Sequence, residues 1–218
     1  MKTISLLDPD RNLALAYAKA RDRTLYKALF LLDERLGNCV ALARDPMLAQ
    51  IRLAWWRDAL LGLHKQNLDR DPLLSTLKNI SADGDFDVTS LAAMVDGWEY
   101  LLEDLPLLDD HLVWFAQLRG GQLFSLLSGC DDPYVRDAAQ LWALVDVSRR
   151  LRCDVTVRRA LVMASSLSIQ GLALRFESRH RSLAILTRFA ERDCQSEPTK
   201  AGSPRRIIQA IGLILRRS

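Results

Sequence analysis

Pairs of carboxylates are the residues of this sequence that could hold a metal ion. Two Asp or Glu residues four positions apart lie on one face of a helix, and carboxylate oxygens are the ligands that Mg²⁺ prefers. The 27 acidic residues include three pairs with this spacing: Asp83/Asp87, Glu99/Glu103 and Asp193/Glu197. Only Glu99/Glu103 falls well inside a predicted helix, where Asp96 extends it into a stripe. Because no facing carboxylates accompany this stripe, we expect a solvated helix face there rather than a metal site.

Other catalytic arrangements are missing from the sequence. It contains no Gly-rich phosphate-binding motif, no GxSxG and no HExxH, and its three histidines place no base beside a Ser or Cys nucleophile. The four cysteines are far apart and form no CxxC pair, so we expect buried thiols rather than disulfides or a zinc site. We therefore predict no catalytic residue, no metal ligand and no cofactor.

The tryptophan-rich segment Pro46 to Leu63 is predicted to form a central helix, since proline is tolerated in the first helical turn. Apolar residues follow at three- and four-residue spacing, and the expected buried set is Ile51, Ala54, Trp55, Ala59, Leu60, Leu61 and Leu63. We expect Trp55 or Trp56 to be largely buried. Arg52, which shares a face with Trp56, and Arg57 place positive charge beside the rings, so the helix could contact a ligand that is both apolar and anionic. The alternative is that the rings are core and the arginines are solvated.

Two glycines in a second predicted helix, in Arg119-Gly120-Gly121, also stand out. Each glycine inside a helix costs about 1 kcal/mol relative to alanine. Such residues usually allow another helix or a ligand to approach closely, and close helix packing is the simpler of these two explanations.

The elements that would position these residues are all predicted to be helical. Apolar residues recur with helical spacing along the whole chain, and no segment alternates with period two. Pro46, Pro72, Asp109/Asp110 and Pro133 mark helix starts, Thr89 or Ser90 is the expected cap of the helix that ends at Pro106, and another helix should span about 155–174. The polar stretch 196–204 is predicted to be a linker before a short C-terminal helix, Ile207 to Leu215. We predict an all-α, single-domain orthogonal bundle of roughly eight to ten helices over residues 1–218.

Charge is distributed unevenly along the chain. Residues 1–131 carry a net charge of −5 and residues 132–218 a net charge of +8. The basic part suggests an anionic partner, and a short apolar helix between arginine pairs suits an anionic membrane surface, although the same helix could simply dock on the core. The arginines form no recognised nucleic-acid-binding motif, so we expect no nucleic-acid partner. With neither a signal peptide nor a spanning segment in the sequence, we expect a cytoplasmic protein, peripheral on the inner membrane face if it binds lipid.

Several blocks of the sequence resemble one protein family. The segments IRLAWWRDAL, LAAMVDGWEYLL, FAQLRGGQLFSLLSG, AAQLWALVDVSRRL and GSPRR are similar, in this order, to the bacterial squalene/phytoene synthase superfamily. Within it they resemble the short, divergent branch related to mitochondrial complex I assembly factors. The resemblance runs from about Arg11 to the C-terminus and implies an isoprenoid-synthase-like helical fold.

The resemblance also implies where magnesium would bind if the chain were an enzyme. Family enzymes resemble one another in carrying two DxxxD motifs on facing helices, which hold Mg²⁺ against a prenyl diphosphate. At the first place this chain has Asp33 with Gly37 four residues later, and at the second it has Asp146 followed by Arg150. Each place therefore lacks its second carboxylate, and Arg150 would repel the metal.

We therefore expect a catalytically degenerate family member that acts as a binding, accessory or assembly factor for an isoprenoid, another lipid or a protein. The alternative is an active prenyl-diphosphate transferase with an unusual Mg²⁺ site or arginine contacts to phosphate from Arg52, Arg57 and Arg119. The candidate ligand-binding residues are Arg52, Trp55, Trp56, Arg57, Asp96, Glu99 and Arg119.

Overall fold

A computed structural model describes residues 7–43, 45–65, 71–82, 86–168 and 171–216, and within these ranges the chain is helical without a strand. The all-α class predicted from the sequence is confirmed. The α-helices are α1 (Pro9–Ala16), α2 (Arg23–Ala41), α3 (Pro46–Leu61), α4 (Pro72–Ala82), α5 (Val88–Glu99), α6 (Asp109–Phe115), α7 (Gln122–Ser128), α8 (Pro133–Ser148), α9 (Asp154–Leu167), α10 (Arg181–Gln195) and α11 (Pro204–Leu215). A π-helical segment, Ala116–Gly121, joins α6 to α7, and three short 3₁₀ turns occupy Tyr100–Leu102, Leu172–Arg175 and Ser178–His180.

Helix starts follow the local signals closely. The Asp45 carboxylate accepts a hydrogen bond from the backbone N–H of Met47 at 2.9 Å, so it satisfies one of the free donors of α3. The cap of α5 is Asp87, whose carboxylate accepts from the Thr89 N–H at 3.1 Å. The expectation of Thr89 or Ser90 as the cap was therefore wrong by two or three residues, because the aspartate competes better for this position.

Helix ends differ more from the predictions. Helix α5 ends at Glu99 rather than at Pro106, and α9 ends at Leu167 rather than near 174. A 3₁₀ turn follows α5 directly at Tyr100, and another begins at Leu172 after α9; both keep apolar side chains at nearly the same spacing. Hydrophobic periodicity alone therefore predicts these two helices too long.

The segment Pro46 to Leu63 buries only part of the predicted set: Ala59, Leu60 and Leu63 are buried as expected, and Ala54 is partly buried. The buried residues of α3 are Ala49, Leu53, Trp56, Ala59 and Leu60, and the helix packs mainly against α5. Ile51 and Trp55 are 60% and 51% exposed, which corrects their assignment to the core, as does the exposure of Leu61. The expectation that one of the two tryptophans is buried is confirmed by Trp56, which is 7% exposed. Because α3 is apolar on both sides, its spacing could not show which side faces α5.

Helix α8 lies at the centre of the bundle and packs against α9, α10 and the π-helical segment. A Cβ atom added at Gly120 would lie 2.5 Å from the carbonyl oxygen of Ala139 on α8. The close helix packing predicted for this glycine is therefore confirmed. By contrast, an added Cβ at Gly121 would meet no atom within 4 Å, and this residue borders a polar surface cavity of about 500 Å³.

Candidate functional site

Six charged side chains meet in the middle of the bundle, and we call them the central cluster: Arg11, Asp33, Glu34, Arg119, Asp146 and Arg150. They come from α1, α2, the π-helical segment and the C-terminal end of α8. Three guanidinium groups and three carboxylates give the cluster no formal net charge. Burial of so many charges is tolerated only where each is paired, so the pairing decides what the site can do.

Asp33 is the most enclosed carboxylate of the central cluster, with a side chain that is 0% exposed. Arg119 donates to both of its oxygens, from Nε at 2.8 Å and from Nη2 at 2.9 Å, in the bidentate geometry typical of arginine–carboxylate pairs. Arg11 forms an ion pair with Asp33 at 2.7 Å, and the indole N–H of Trp98 donates to it at 3.0 Å. Both oxygens of Asp33 are thus engaged.

Asp146 and Glu34 complete the pairing. Asp146 accepts from Arg119 at 2.6 Å and from Arg150 at 3.1 Å, and Arg11 lies 3.6 Å from the same carboxylate oxygen. Glu34 pairs with Arg11 at 2.5 Å and with Arg150 at 3.5 Å. Each of the three carboxylates therefore contacts at least two guanidinium groups.

Aromatic rings enclose the guanidinium group of Arg119. Its central carbon lies 4.3 Å from the ring centre of Trp98, 4.7 Å from that of Trp142 and 5.2 Å from that of Phe115. Arginine is weakly hydrated and stacks on aromatic faces, so the rings replace water around it. One nitrogen of Arg119, Nη1, has no hydrogen-bond partner among the described residues.

The electrostatics favour the charged forms. Burial by itself raises the pKa of Asp33, but Arg119 and Arg11 outweigh it and hold this pKa below its ordinary value. Burial likewise opposes ionisation of Asp146, yet Arg150, Arg119 and Arg11 lower its pKa well below the usual range. Burial also disfavours the charged form of Arg119, and the two aspartates overcome this and raise its pKa. The carboxylates are therefore ionised and paired at neutral pH, so neither is suited to proton transfer.

Gly37 and Arg150 are the residues found where the resemblance would imply a second carboxylate. A Cβ atom added at Gly37 would lie 2.8 Å from the ring of Trp98, which fills the space above Asp33. At the other position Arg150, four residues after Asp146, pairs with it directly. Arginines already contact both oxygens of Asp33 and Oδ2 of Asp146, and their positive charge opposes the approach of a divalent cation. The residues present therefore do not fit a magnesium–diphosphate site.

The seven candidate ligand-binding residues do not converge on one place. Arg119 belongs to the central cluster, whereas Arg57 links α3 to α5 by ion pairs of 2.6 Å to both Asp96 and Glu99. Burial opposes the charged form of Arg57, but hydrogen bonds to Glu99 and Asp96 raise its pKa. The remaining three lie on or beside α3: Arg52 and Trp55 are exposed, and Trp56 is buried.

The sequence did not point to several residues in and around the central cluster. Arg11, Trp98 and Trp142 were not singled out, and neither was the pairing role of Arg150. The available signal was the four-residue spacing of Asp146 and Arg150, which favours an ion pair on one helix face. Arg11 gave no such signal, because its partners are on other helices.

A cavity of about 470 Å³ opens beside the central cluster. Glu34, Asp146 and Arg150 line it on one side, and the segment 198–201 lines it on the other. This segment belongs to the predicted linker 196–204, of which residues 196–203 are not helical, whereas α11 begins at Pro204 and thus three residues before the predicted start at Ile207. Solvent thus reaches Asp146, whose side chain is 14% exposed, but not Asp33.

No group of three or more His, Cys, Asp or Glu side chains in the described ranges is arranged to hold a metal ion. The helices described here also include none with the length and apolar character needed to cross a bilayer. The four cysteines are free thiols, of which Cys39 is buried and the other three are partly exposed, so the expected burial is confirmed only for Cys39.

Comparison of this chain with models of protein families, with curated proteins and with solved structures finds no match.

Proposed function

We propose that this protein acts by binding, as an accessory or assembly factor, and not by magnesium-dependent transfer of prenyl groups. The observation that supports this is the pairing of Asp33 and Asp146 with three arginines at the two places where the family that the sequence resembles carries its metal-binding carboxylates. Trp98 and Arg150 stand where the missing carboxylates would be. A diphosphate leaving group needs metal charge at this point, and the central cluster offers no free carboxylate to hold it.

The aromatic packing at the centre of the bundle also affects which kind of partner the protein could bind. Trp98, Phe115 and Trp142 are each 5% exposed or less and pack around Arg119, and the buried ring of Phe124 packs on that of Trp142. A long isoprenoid chain bound inside the bundle would have to displace these rings and the ion pairs beside them. The packing therefore favours a partner that binds on the outside of the bundle over an isoprenoid carried within it.

Calorimetry with farnesyl diphosphate, with and without Mg²⁺, tests the proposal together with an assay for released pyrophosphate. We expect no magnesium-dependent binding and no pyrophosphate. Tight binding that requires Mg²⁺ and is lost in Asp146→Asn, or release of pyrophosphate, would instead establish the transferase alternative.

A second variant makes the test sharper. Arg150→Asp would place a second carboxylate four residues after Asp146, just past the end of α8, at a side chain that is 27% exposed and therefore accessible to repacking. We expect this variant to gain weak affinity for Mg²⁺ that the unchanged protein lacks. Asp137→Asn, an acid on the same helix outside the central cluster, is the matched control and should leave Mg²⁺ binding unchanged.

A further inference from the structure

The C-terminal helix α11 is held to the bundle by a second group of ion pairs, which we call the C-terminal cluster: Asp10, Arg149, Asp193 and Arg206. Arg206 is fully buried and contacts Asp193 at 2.6 Å and Asp10 at 3.3 Å. It also donates to the carbonyl of Thr199 at 3.0 Å and lies 4.5 Å from the ring of Phe189. These contacts fix which side of α11 faces the protein.

Only a few residues of α11 face the bundle. Arg206, Ala210 and Leu213 are its buried residues, so docking on the core, one of the two alternatives considered for this helix, does occur. The segment before it is fixed as well: Gly202 has φ +67° and its N–H donates to Asp10 at 2.9 Å. An added Cβ there would lie 2.6 Å from Pro9, so only glycine fits.

The outer side of α11 is an apolar stripe that stays largely exposed. Its members are Ile207, Ile208, Ile211 and Leu215, which are 44%, 69%, 44% and 71% exposed. Positions i, i+1, i+4 and i+8 lie along one side of a helix for more than two turns. Docking on the core thus leaves a second apolar side of the same helix facing outward.

Arginines surround this stripe. Arg205 and Arg216 are exposed at its two ends. Beside it lies a groove of about 490 Å³ between α10, α11 and the turn Leu172–Arg175, lined by Arg188, Arg192 and Arg216 together with the apolar Leu174 and Ile208. Glu191 is the one carboxylate among the residues lining this groove, and Arg188 already pairs with it at 3.1 Å.

We propose that the outer side of α11 and this groove bind an anionic membrane surface. The isoleucines and leucine would enter the boundary between headgroups and acyl chains, while Arg192, Arg205 and Arg216 contact lipid phosphates. Helix α11 contains no acidic residue, so nothing on it opposes approach to a negative surface. An exposed apolar stripe with a cationic border complements a lipid leaflet, and this surface lies apart from the central cluster, so it does not depend on the function proposed above.

Co-sedimentation with lipid vesicles tests this proposal. We expect binding to phosphatidylcholine vesicles that contain about 30% phosphatidylserine, weak binding to phosphatidylcholine alone, and loss of binding near 0.5 M NaCl, where the screening length is about 4 Å. Absence of binding to the anionic vesicles at low salt would overturn the proposal. Equal binding to both kinds of vesicle would overturn the role of the arginines.

Two double variants separate the apolar and ionic contributions. Ile208→Ser with Ile211→Ser should weaken vesicle binding at least about tenfold. Arg192→Gln with Arg216→Gln should weaken it about 30-fold, since each basic residue near an anionic leaflet is worth about a factor of five.

The matched control is Met47→Ser with Ile51→Ser, which alters an exposed apolar stripe of similar size on α3. It should bind vesicles like the unchanged protein, and circular dichroism should show the same helix content for all variants. If the α3 variant lost binding instead, or if the α11 variant changed the oligomeric state and left vesicle binding intact, α11 would not be the lipid-binding surface.

Discussion

The central cluster and the C-terminal cluster are built from neighbouring residues but lie in different surroundings. Asp10 and Arg11 are adjacent in α1, and Arg149 and Arg150 are adjacent after α8. Arg11 and Arg150 belong to the central cluster, whereas Asp10 and Arg149 belong to the C-terminal cluster. The central cluster joins α1, α2, the π-helical segment and α8 between stacked tryptophans. The C-terminal cluster instead attaches one surface helix and the segment before it. Similar ion pairs therefore hold the core together in one place and a surface helix in the other.

The difference follows from what happens when a pair is broken. Removing an arginine from the centre leaves carboxylates that cannot reach water without opening the bundle, and breaking a buried pair in this way typically costs about 3–5 kcal/mol. Removing an arginine from the C-terminal cluster can be relieved by moving α11 away from the bundle, because this helix buries only Arg206, Ala210 and Leu213. The two clusters should therefore respond differently to equivalent substitutions.

The largest effect is expected for Arg119→Met. Asp33 would lose its bidentate ion pair in a fully buried site, and we expect the free energy of unfolding to fall by about 3–5 kcal/mol. Urea denaturation followed by circular dichroism measures this change. Arg57→Met is the matched control: its ion pairs lie at side chains that are 30–43% exposed, so it should cost about 0–1 kcal/mol. Equal losses in the two variants would show that the central cluster contributes no more than a surface pair.

An intermediate effect is expected from acid. The pKa values of Asp33 and Asp146 are lowered in the folded protein, so their contribution to stability is complete above the unfolded-state pKa of about 4 and is lost as the pH falls toward the folded values. Between pH 5 and pH 3 we expect a loss of about 1 kcal/mol for each carboxylate. Urea titrations at both pH values measure it. In Arg119→Met the dependence on pH should be shallower, and an unchanged slope would contradict the pairing as the cause.

The smallest effect on global stability, and the most local one, is expected for Arg206→Met. This substitution removes the buried contacts to Asp193 and Thr199, so α11 and the segment 196–204 should loosen while the rest of the bundle stays folded. We expect the free energy of unfolding, measured by urea denaturation, to fall by about 1–2 kcal/mol. Hydrogen exchange should become faster only in residues 196–216. Arg205→Met, at the exposed residue next to Arg206, is the control. It should change neither the free energy of unfolding nor the rate of hydrogen exchange. Faster exchange throughout the bundle would mean that the two clusters form one cooperative unit.

The helical class and several helix starts could be predicted from the sequence because they depend on nearby residues. Proline and aspartate specify the first turns of α3, α4 and α8, and helical spacing of apolar residues is visible without any partner. The close approach at Gly120 was also predictable, since a glycine inside a helix has a cost that packing can offset. The absent carboxylates at Gly37 and Arg150 are likewise plain in the sequence.

What the sequence by itself determined is thus local: which segments are helical, where acids are missing, and that the C-terminal part is basic. The tertiary structure alone decided which of Trp55 and Trp56 is buried, because α5 packs on one of two apolar sides of α3. It also decided that Arg11 and Arg119 pair with Asp33, and that α11 docks through Arg206 while its isoleucines face outward. These outcomes join residues that are distant in the chain, and the energy of a buried charge depends on the partners and rings around it, which no local pattern contains.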